Sequence, residues 1–355
     1  MIDWDGEMAQ SFSFFEVSPL TWQNVRRLAR IGSAELTFDA ADDLRASATL
    51  ASAEDIGECY VRARLDVRQG RESASFVLGT FLAQTASRTR GSASVSYDID
   101  GYSPLLELAD DCPPLGYYVG AGRNVLDAVC DIAVEHCRAP VVRAASAAAL
   151  AEPFVAEPDG TWLDFLAALA AKAERTVEVD PMGRIVLAPV RAPSAMRPVC
   201  ALGPSGHRIV LPDATDDRDL FGIPTSVQLV WSGADGATLS ATAHNDNPDS
   251  ATSRQSRGRT ILDRLTDVDL PDGLSAAEAQ ARLDQMAREE LGRRGCLEHQ
   301  VSYERGFLPN VGVGSCVYLD MEPLGVQSRA VITSQTISCG TSCRVSETST
   351  FTEVA

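Results

Sequence analysis

Three segments in the first hundred residues alternate apolar and polar side chains with period two. They are Ala34-Glu-Leu36-Thr-Phe38-Asp39, Val61-Arg-Ala63-Arg-Leu65-Asp-Val67-Arg68 and Ala93-Ser-Val95-Ser-Tyr97-Asp-Ile99-Asp100. A strand turns successive side chains to opposite faces, so each segment buries one face and leaves the other to water or a neighbour. A helix of the same residues would scatter its apolar groups around the axis. Gln69-Gly70-Arg71 turns the chain from the second segment into Ser75-Phe-Val-Leu78. Short strands with turns at this spacing predict a barrel-like β domain over residues 1–100.

The pattern changes over residues 101–200. Pro104 to Leu108 starts a short helix. Two look-alike segments follow, Gly122-Arg-Asn124-Val-Leu126-Asp127 and Gly160-Thr161-Trp162-Leu163-Asp164. Each reads as a helix start, with Asn124 or Thr161 as N-cap and a carboxylate three residues later over the positive end of the helix dipole. Leu126, Val129, Ile132 and Ala133 then recur at helical spacing, as do Leu163, Leu166, Leu169 and Ala170. The Ala-rich stretch between them predicts a further helix over 144–150. Thr176-Val-Glu-Val-Asp180-Pro-Met-Gly183-Arg-Ile-Val-Leu187 predicts strand, tight turn and strand.

Residues 201–355 return to β. Strands are expected at 225–231, with a turn at Gly233-Ala-Asp-Gly236, and at 315–319, 330–334 and 344–353. Residues 244–258 are polar and predict an exposed, mobile loop. Ser275-Ala-Ala-Glu278 is a capping box, and Ala279, Leu283, Met286, Ala287 and Leu291 form the apolar face of a helix that ends at Gly292 or Gly295. The fold class is α+β and mainly β: two β-barrel-like domains, 1–100 and 201–355, flank a helical αβ insert, 101–200, with two similar capped helices.

The chain carries 49 acidic and 31 basic residues, a formal charge of −18. That balance argues against nucleic-acid binding through a basic patch, sequence-specific binding included. Neither a basic, apolar and small-residue leader nor a bilayer-length apolar run is evident, which predicts a soluble protein made in the cytoplasm. The nine cysteines include no CxxC pair and the chain has only four His, so buried reduced thiols are expected rather than a zinc site. His136 and Cys137 are adjacent on a helix and point about 100° apart, so they do not form a thiol–imidazole pair.

A P-loop, a GxSxG elbow and HExxH are all absent. Gly203-Pro-Ser-Gly206-His207 reads as a turn rather than part of a triad. Asp213-Ala-Thr-Asp216-Asp217-Arg-Asp219 lacks the Gly and terminal Glu of a calcium loop and reads as a solvated acidic turn, and Asn245-Asp-Asn-Pro-Asp249 reads likewise as solvated. Asp39 and Asp43 stand at helical spacing, but aromatic content is 6% and no aromatic-rich stretch is present to stack on sugars. No catalytic, cofactor-binding or metal-ligating residue is expected.

The order of these motifs carries a resemblance. Trp22-x-x-Val25-x-x-Leu28 and Ala34-Glu-Leu36 lead to Leu78-Gly79-Thr80-Phe81, then to Asp100-Gly101-Tyr102-Ser103-Pro-Leu105-x-x-Leu108. Val119-Gly-Ala-Gly122-x-Asn124 and Val179-Asp180-x-x-Gly183-Arg-Ile185 follow, and an Ala-rich helix precedes Pro309-x-x-Gly312-Val-Gly-Ser-Cys-Val317. Over most of its length the chain resembles bacteriophage tail or baseplate hub proteins, a family that extends to type VI secretion spikes. The resemblance implies a structural virion protein of the tail tip, assembled in the bacterial cytoplasm. It implies a homotrimeric ring with two related barrels per subunit, matching a six-fold tail tube to a three-fold tip and letting DNA pass. Implied partners are distal tail and tail-tube proteins, a tape-measure protein, and a tip fibre or spike. Many such hubs continue into a fibre or cell-wall hydrolase; with this chain stopping at Ala355, that activity is expected in another protein. The alternatives are a β-rich enzyme or carbohydrate-active accessory protein, and the spike of a cellular contractile injection system.

Overall fold

The structure is a computed structural model that describes residues 2–91, 94–233, 237–266, 268–271 and 273–353. Strands hold 45% of the chain and helices 16%, with large antiparallel sheets, so the mainly-β expectation is met. No closed barrel is present among the described residues; the strands follow an open path. The chain divides into two compact units, residues 1–213 with 303–348, and residues 214–302 with 349–355.

In the first unit the alternating segments are strands Ile31–Asp39, Cys59–Gln69 and Val95–Tyr102. Ala93, at the start of the third segment, and residues 234–236 of the turn expected at Gly233 lie outside the described residues. The path runs Asn24–Arg27, Ala9–Val17, Cys59–Gln69, Glu72–Arg90, Val95–Tyr102, Ala46–Ser52, Ile31–Asp39, Val326–Cys339. Every neighbouring pair along this path is antiparallel. Alternation puts Leu36, Leu50, Leu65, Phe81, Ile99, Ile337 and Val345 into one core. At about 25 cal/mol per Å² of apolar area removed from water, such a core is the main favourable term of this unit.

The insert belongs to the same unit. Helices Val125–His136 and Trp162–Ala171 begin at the expected caps: Asn124 accepts from the Asp127 N–H, and Thr161 and Asp164 close a reciprocal capping box. Leu126, Val129, Ile132, Leu166 and Leu169 pack with Val177 and Ile185 of the hairpin Arg175–Val179 and Ile185–Pro189. Residues 144–150 are not helical. They lie extended because their backbone is used by the first helix start: Val125 N–H bonds the Ala148 carbonyl and Gly122 N–H the Leu150 carbonyl. Asp39 to Asp43 is likewise a turn between strands, with the Asp39 and Asp42 carboxylates accepting from the Ala41 and Leu44 N–H groups.

The second unit has the hairpin Ser226–Ser232 and Thr238–His244, with Leu262–Leu265 parallel to its first strand. Helix Ala276–Arg294 starts at the Ser275–Glu278 capping box, and Gly295 is its C-cap. Leu283, Ala287 and Leu291 cover Val227, Leu229, Ala241 and Ala243. Two expectations fail here. The loop after His244 is pinned rather than free: buried Asn245 donates to Ser250 Oγ and Thr252 Oγ1 at 3.0 and 3.1 Å. The acidic stretch from Asp213 is not a turn but lies largely in strand Val210–Arg218, where alternation turns Asp216 inward.

Candidate functional site

Arg62 lies on the polar side of its strand yet is only 4% exposed. Its Nε donates to Thr80 Oγ1 at 3.0 Å, Nη1 to Asn24 Oδ1 at 3.0 Å, and Nη2 to the Met182 carbonyl at 3.1 Å. Thr80 Oγ1 in turn donates to the Pro181 carbonyl, and Trp22 Nε1 to Met182 O at 2.7 Å. Three side chains, those of Trp22, Arg62 and Thr80, thus bond the 180–183 turn of the insert. Gly183 permits the approach, because it takes φ +75 and an added Cβ would stand 2.7 Å from Thr80. Trp22 itself has φ 57, left-handed for a bulky residue, and packs edge-on to Tyr60 at 4.7 Å. Burial pushes the Arg62 guanidinium below its ordinary value, since no carboxylate bonds it. The sequence gives no signal that separates Arg62 from its neighbour Arg64.

Three further polar clusters are built in. Tyr60 Oη donates to Glu107 Oε1 at 2.7 Å, and the Arg138 N–H donates to Glu107 Oε2 at 2.7 Å. Burial alone would raise the Glu107 carboxyl, but the Arg138 N–H, the Tyr60 hydroxyl and the Arg138 side chain hold it below the usual range. Burial, followed by the Glu107 contact, pushes Tyr60 far up. In the same unit Arg305 and Glu347 form a fully buried pair, Nε to Oε2 at 2.8 Å, and Gln335 donates to the same carboxylate. In the second unit, buried His299 places Nδ1 3.0 Å from Asp216 Oδ1 and Nε2 3.4 Å from Glu353 Oε2, with its ring stacked 4.3 Å from Phe351.

None of these is a nucleophilic centre. Both His299 nitrogens are committed to carboxylates, which leaves none to take a proton from a hydroxyl or thiol. Ser226 Oγ lies 2.8 Å from His244 Nδ1, but Ser226 is fully buried and no carboxylate among the described residues orients the ring. Ser205 and His207 lie in a turn, where Ser205 N–H bonds Asp320 and His207 bonds Asp5. His136 stacks on Trp162 at 4.0 Å, while Cys137 Sγ contacts the Pro104 carbonyl at 3.4 Å. Asp246 is occupied by Arg254, with bonds of 2.8 and 2.7 Å. Among the described residues no group of three or more His, Cys, Asp or Glu is placed to hold a metal. All nine cysteines are free. A cavity of about 200 Å³ beside the second insert helix is lined by Phe154, Phe165, Ala168 and Pro113 and rimmed by Glu157 and Asp164. Thr161 lines it as well, and its hydroxyl and the Asp164 carboxylate are engaged with each other in the helix's capping box at 2.7 Å.

The surface has a different character. Leu20 and Leu115 of the first unit are 94% and 84% exposed, and Phe221 of the second is 85% exposed. No helix of the described residues is long and apolar enough to cross a membrane.

No family model matches the sequence. No curated protein matches it either. Solved structures do. A tail protein from Neisseria meningitidis MC58 aligns at TM-score 0.60 and 13% identity, over 97% of both chains. The 43 kDa tail protein of prophage MuSo2 from Shewanella oneidensis aligns at TM-score 0.59 and 12% identity, over 95% of this chain and 97% of its own. A chain of the Francisella PdpA–VgrG complex aligns at TM-score 0.54 and 8% identity; it takes in 97% of this chain, which spans 58% of that one. Over nearly its whole length, the chain has the fold of phage tail proteins.

Proposed function

We propose that this chain is a structural hub of a phage tail tip or baseplate. The observation that carries the reading is the end-to-end match, 97% of both chains, to a tail protein. Its polar clusters support the same reading. They tie elements together and offer no reacting group to a substrate.

In this reading three copies form a ring that joins the six-fold tail tube to a three-fold tip and lets DNA pass. Residues 1–100 and 201–355 supply the two ring-forming β regions, and residues 101–200 the insert between them. Neighbours are tail-tube and distal tail proteins above, a tape-measure protein in the channel, and a tip fibre or spike below. The chain works in the virion after assembly in the host cytoplasm, without catalysis. A reconstruction of the particle tests this: three copies encircling the tail axis at the tip are expected, and one or two isolated copies would overturn it.

The VgrG likeness favours a second reading, the spike base of a cellular injection system. Isolation of the chain from a contractile apparatus that contains no genome would select that reading.

A further inference from the structure

The longest strand, Glu72–Arg90, changes partners along its length. Residues 72–83 pair with Cys59–Gln69, and residues 82–90 pair with Val95–Tyr102. Thr85 is still held on the first side, where its Oγ1 bonds Asp55 and Ile56. The pairing with Cys59–Gln69 has already ended at Ala83, and a bulge at 85–87 lies in the pairing with Val95–Tyr102. From Ser87 to Arg90 the strand has a neighbour on one side only, and all four residues are exposed. Such an edge is a template for another strand. Arg88 and Arg90 project from the same face of it, two residues apart, and neither forms an ion pair among the described residues.

Strand Val210–Arg218 is also an edge, the last on its side of the sheet path. Pro212 has no N–H, so its unbroken stretch begins at Asp213. Asp213, Thr215 and Asp217 are exposed on one face, while Asp216 turns inward to His299. Neither Asp213 nor Asp217 has a bonded partner among the described residues. The remaining terminal edge, Asn24–Arg27, is a poorer candidate. It has four residues, its pairing is bulged, and Arg26 is engaged by Glu16.

We propose that copies of this chain dock head to tail, with residues 87–90 of one copy adding to the 213–218 edge of the next. With Arg88 opposite Asp217 in an antiparallel pair, Arg90 stands opposite Thr215 and diagonal to Asp213, within reach of its long side chain; opposite charges at such positions stabilise and like charges destabilise. The two edges are different surfaces, so the contact is heterologous, and its rotation closes a ring or builds a filament. The inference rests on the hub reading for the closed ring and adds which surfaces meet.

The test is sedimentation of four forms of the full chain over a concentration series: wild type, Arg88→Glu/Arg90→Glu, Asp213→Arg/Asp217→Arg, and an equimolar mixture of the two variants. Melting curves verify that each variant is folded. Wild type is expected to associate, less so in high salt. Each variant alone should be weakened by about tenfold or more. The mixture should regain association through contacts between unlike variants, because each edge of one variant is complementary to the facing edge of the other. A wild type that stays monomeric at its highest soluble concentration overturns the contact. So does a variant that associates normally, or a mixture that fails to recover. Three copies around the tail axis in the particle, with an unaffected Arg88→Glu/Arg90→Glu variant, would reject this contact and keep the hub reading; absence of the chain from the tail tip would reject the hub reading itself.

Discussion

Arg62 and Arg64 are two residues apart on one strand, and the alternating pattern treats them alike. Arg64 is partly exposed and pairs with Asp66 at 3.0 Å. Arg62 is buried because the 180–183 turn covers that end of the strand, and a period-two pattern does not carry information about a cover 120 residues away. Arg62→Met should remove three bonds from a charged donor and cost about 3 kcal/mol, read from urea unfolding midpoints. Glu347→Leu should cost more, about 3–5 kcal/mol, because it strands the Arg305 guanidinium in the core; adding Arg305→Met should recover much of that loss. Thiol reactivity follows burial as well. Burial pushes Cys59 up to about 11 and Cys137 and Cys343 up to about 12, and Cys339 is raised further. Native alkylation followed by mass spectrometry should therefore label exposed Cys112 first and Cys137, Cys339 and Cys343 last.

Elements were legible where their signal is local. The caps at Asn124, Thr161 and Ser275 are each written within four residues, and all three helices begin there. Asn124→Ala or Thr161→Ala should each cost about 0.5–2 kcal/mol in thermal melts, and loss of the Asp164 charge less. Elements depart from their local signal where a partner decides. The Ala-rich stretch 144–150 has the composition of a helix, but its carbonyls receive N–H groups of the first helix start, so tertiary pairing overrides propensity. The loop after His244 looks solvated until Asn245 finds Ser250 and Thr252 inside it. The contact between the short helix Leu106–Ala109 and Arg138 is pH-dependent. Glu107 is held below its ordinary value of 4.5, so its stabilising effect is full above that pH and fades as pH falls through the lowered value. Glu107→Gln should flatten the acid limb of a stability profile, measured as unfolding midpoint against pH.

At the scale of the molecule, the order of motifs was readable and the division into units was not signalled by composition. Residues 303–348 rejoin a sheet that takes seven of its strands from residues 9–102, and only long-range pairing discloses it. The excess of acid has a consequence for the hub reading. A channel wall lined by Lys and Arg would bind phosphates as DNA passed, whereas an acidic wall repels them. The ring lumen is expected to hold more Asp and Glu than Lys and Arg, and purified protein should not retard duplex DNA on a gel near physiological salt. Retardation there would count against free passage.

Thr37 and Thr336 lie on neighbouring strands although 299 residues separate them. A ribosome releases the chain from its beginning, so strand Ile31–Asp39 emerges long before Val326–Cys339 exists. Throughout that interval one side of it is an unsatisfied row of N–H and C=O groups above an incomplete core. Non-local pairing of this kind slows folding, and exposed edges promote aggregation of nascent chains. Fragments that end before Val326 should therefore be recovered in inclusion bodies or bound to chaperones, while the whole chain is recovered free.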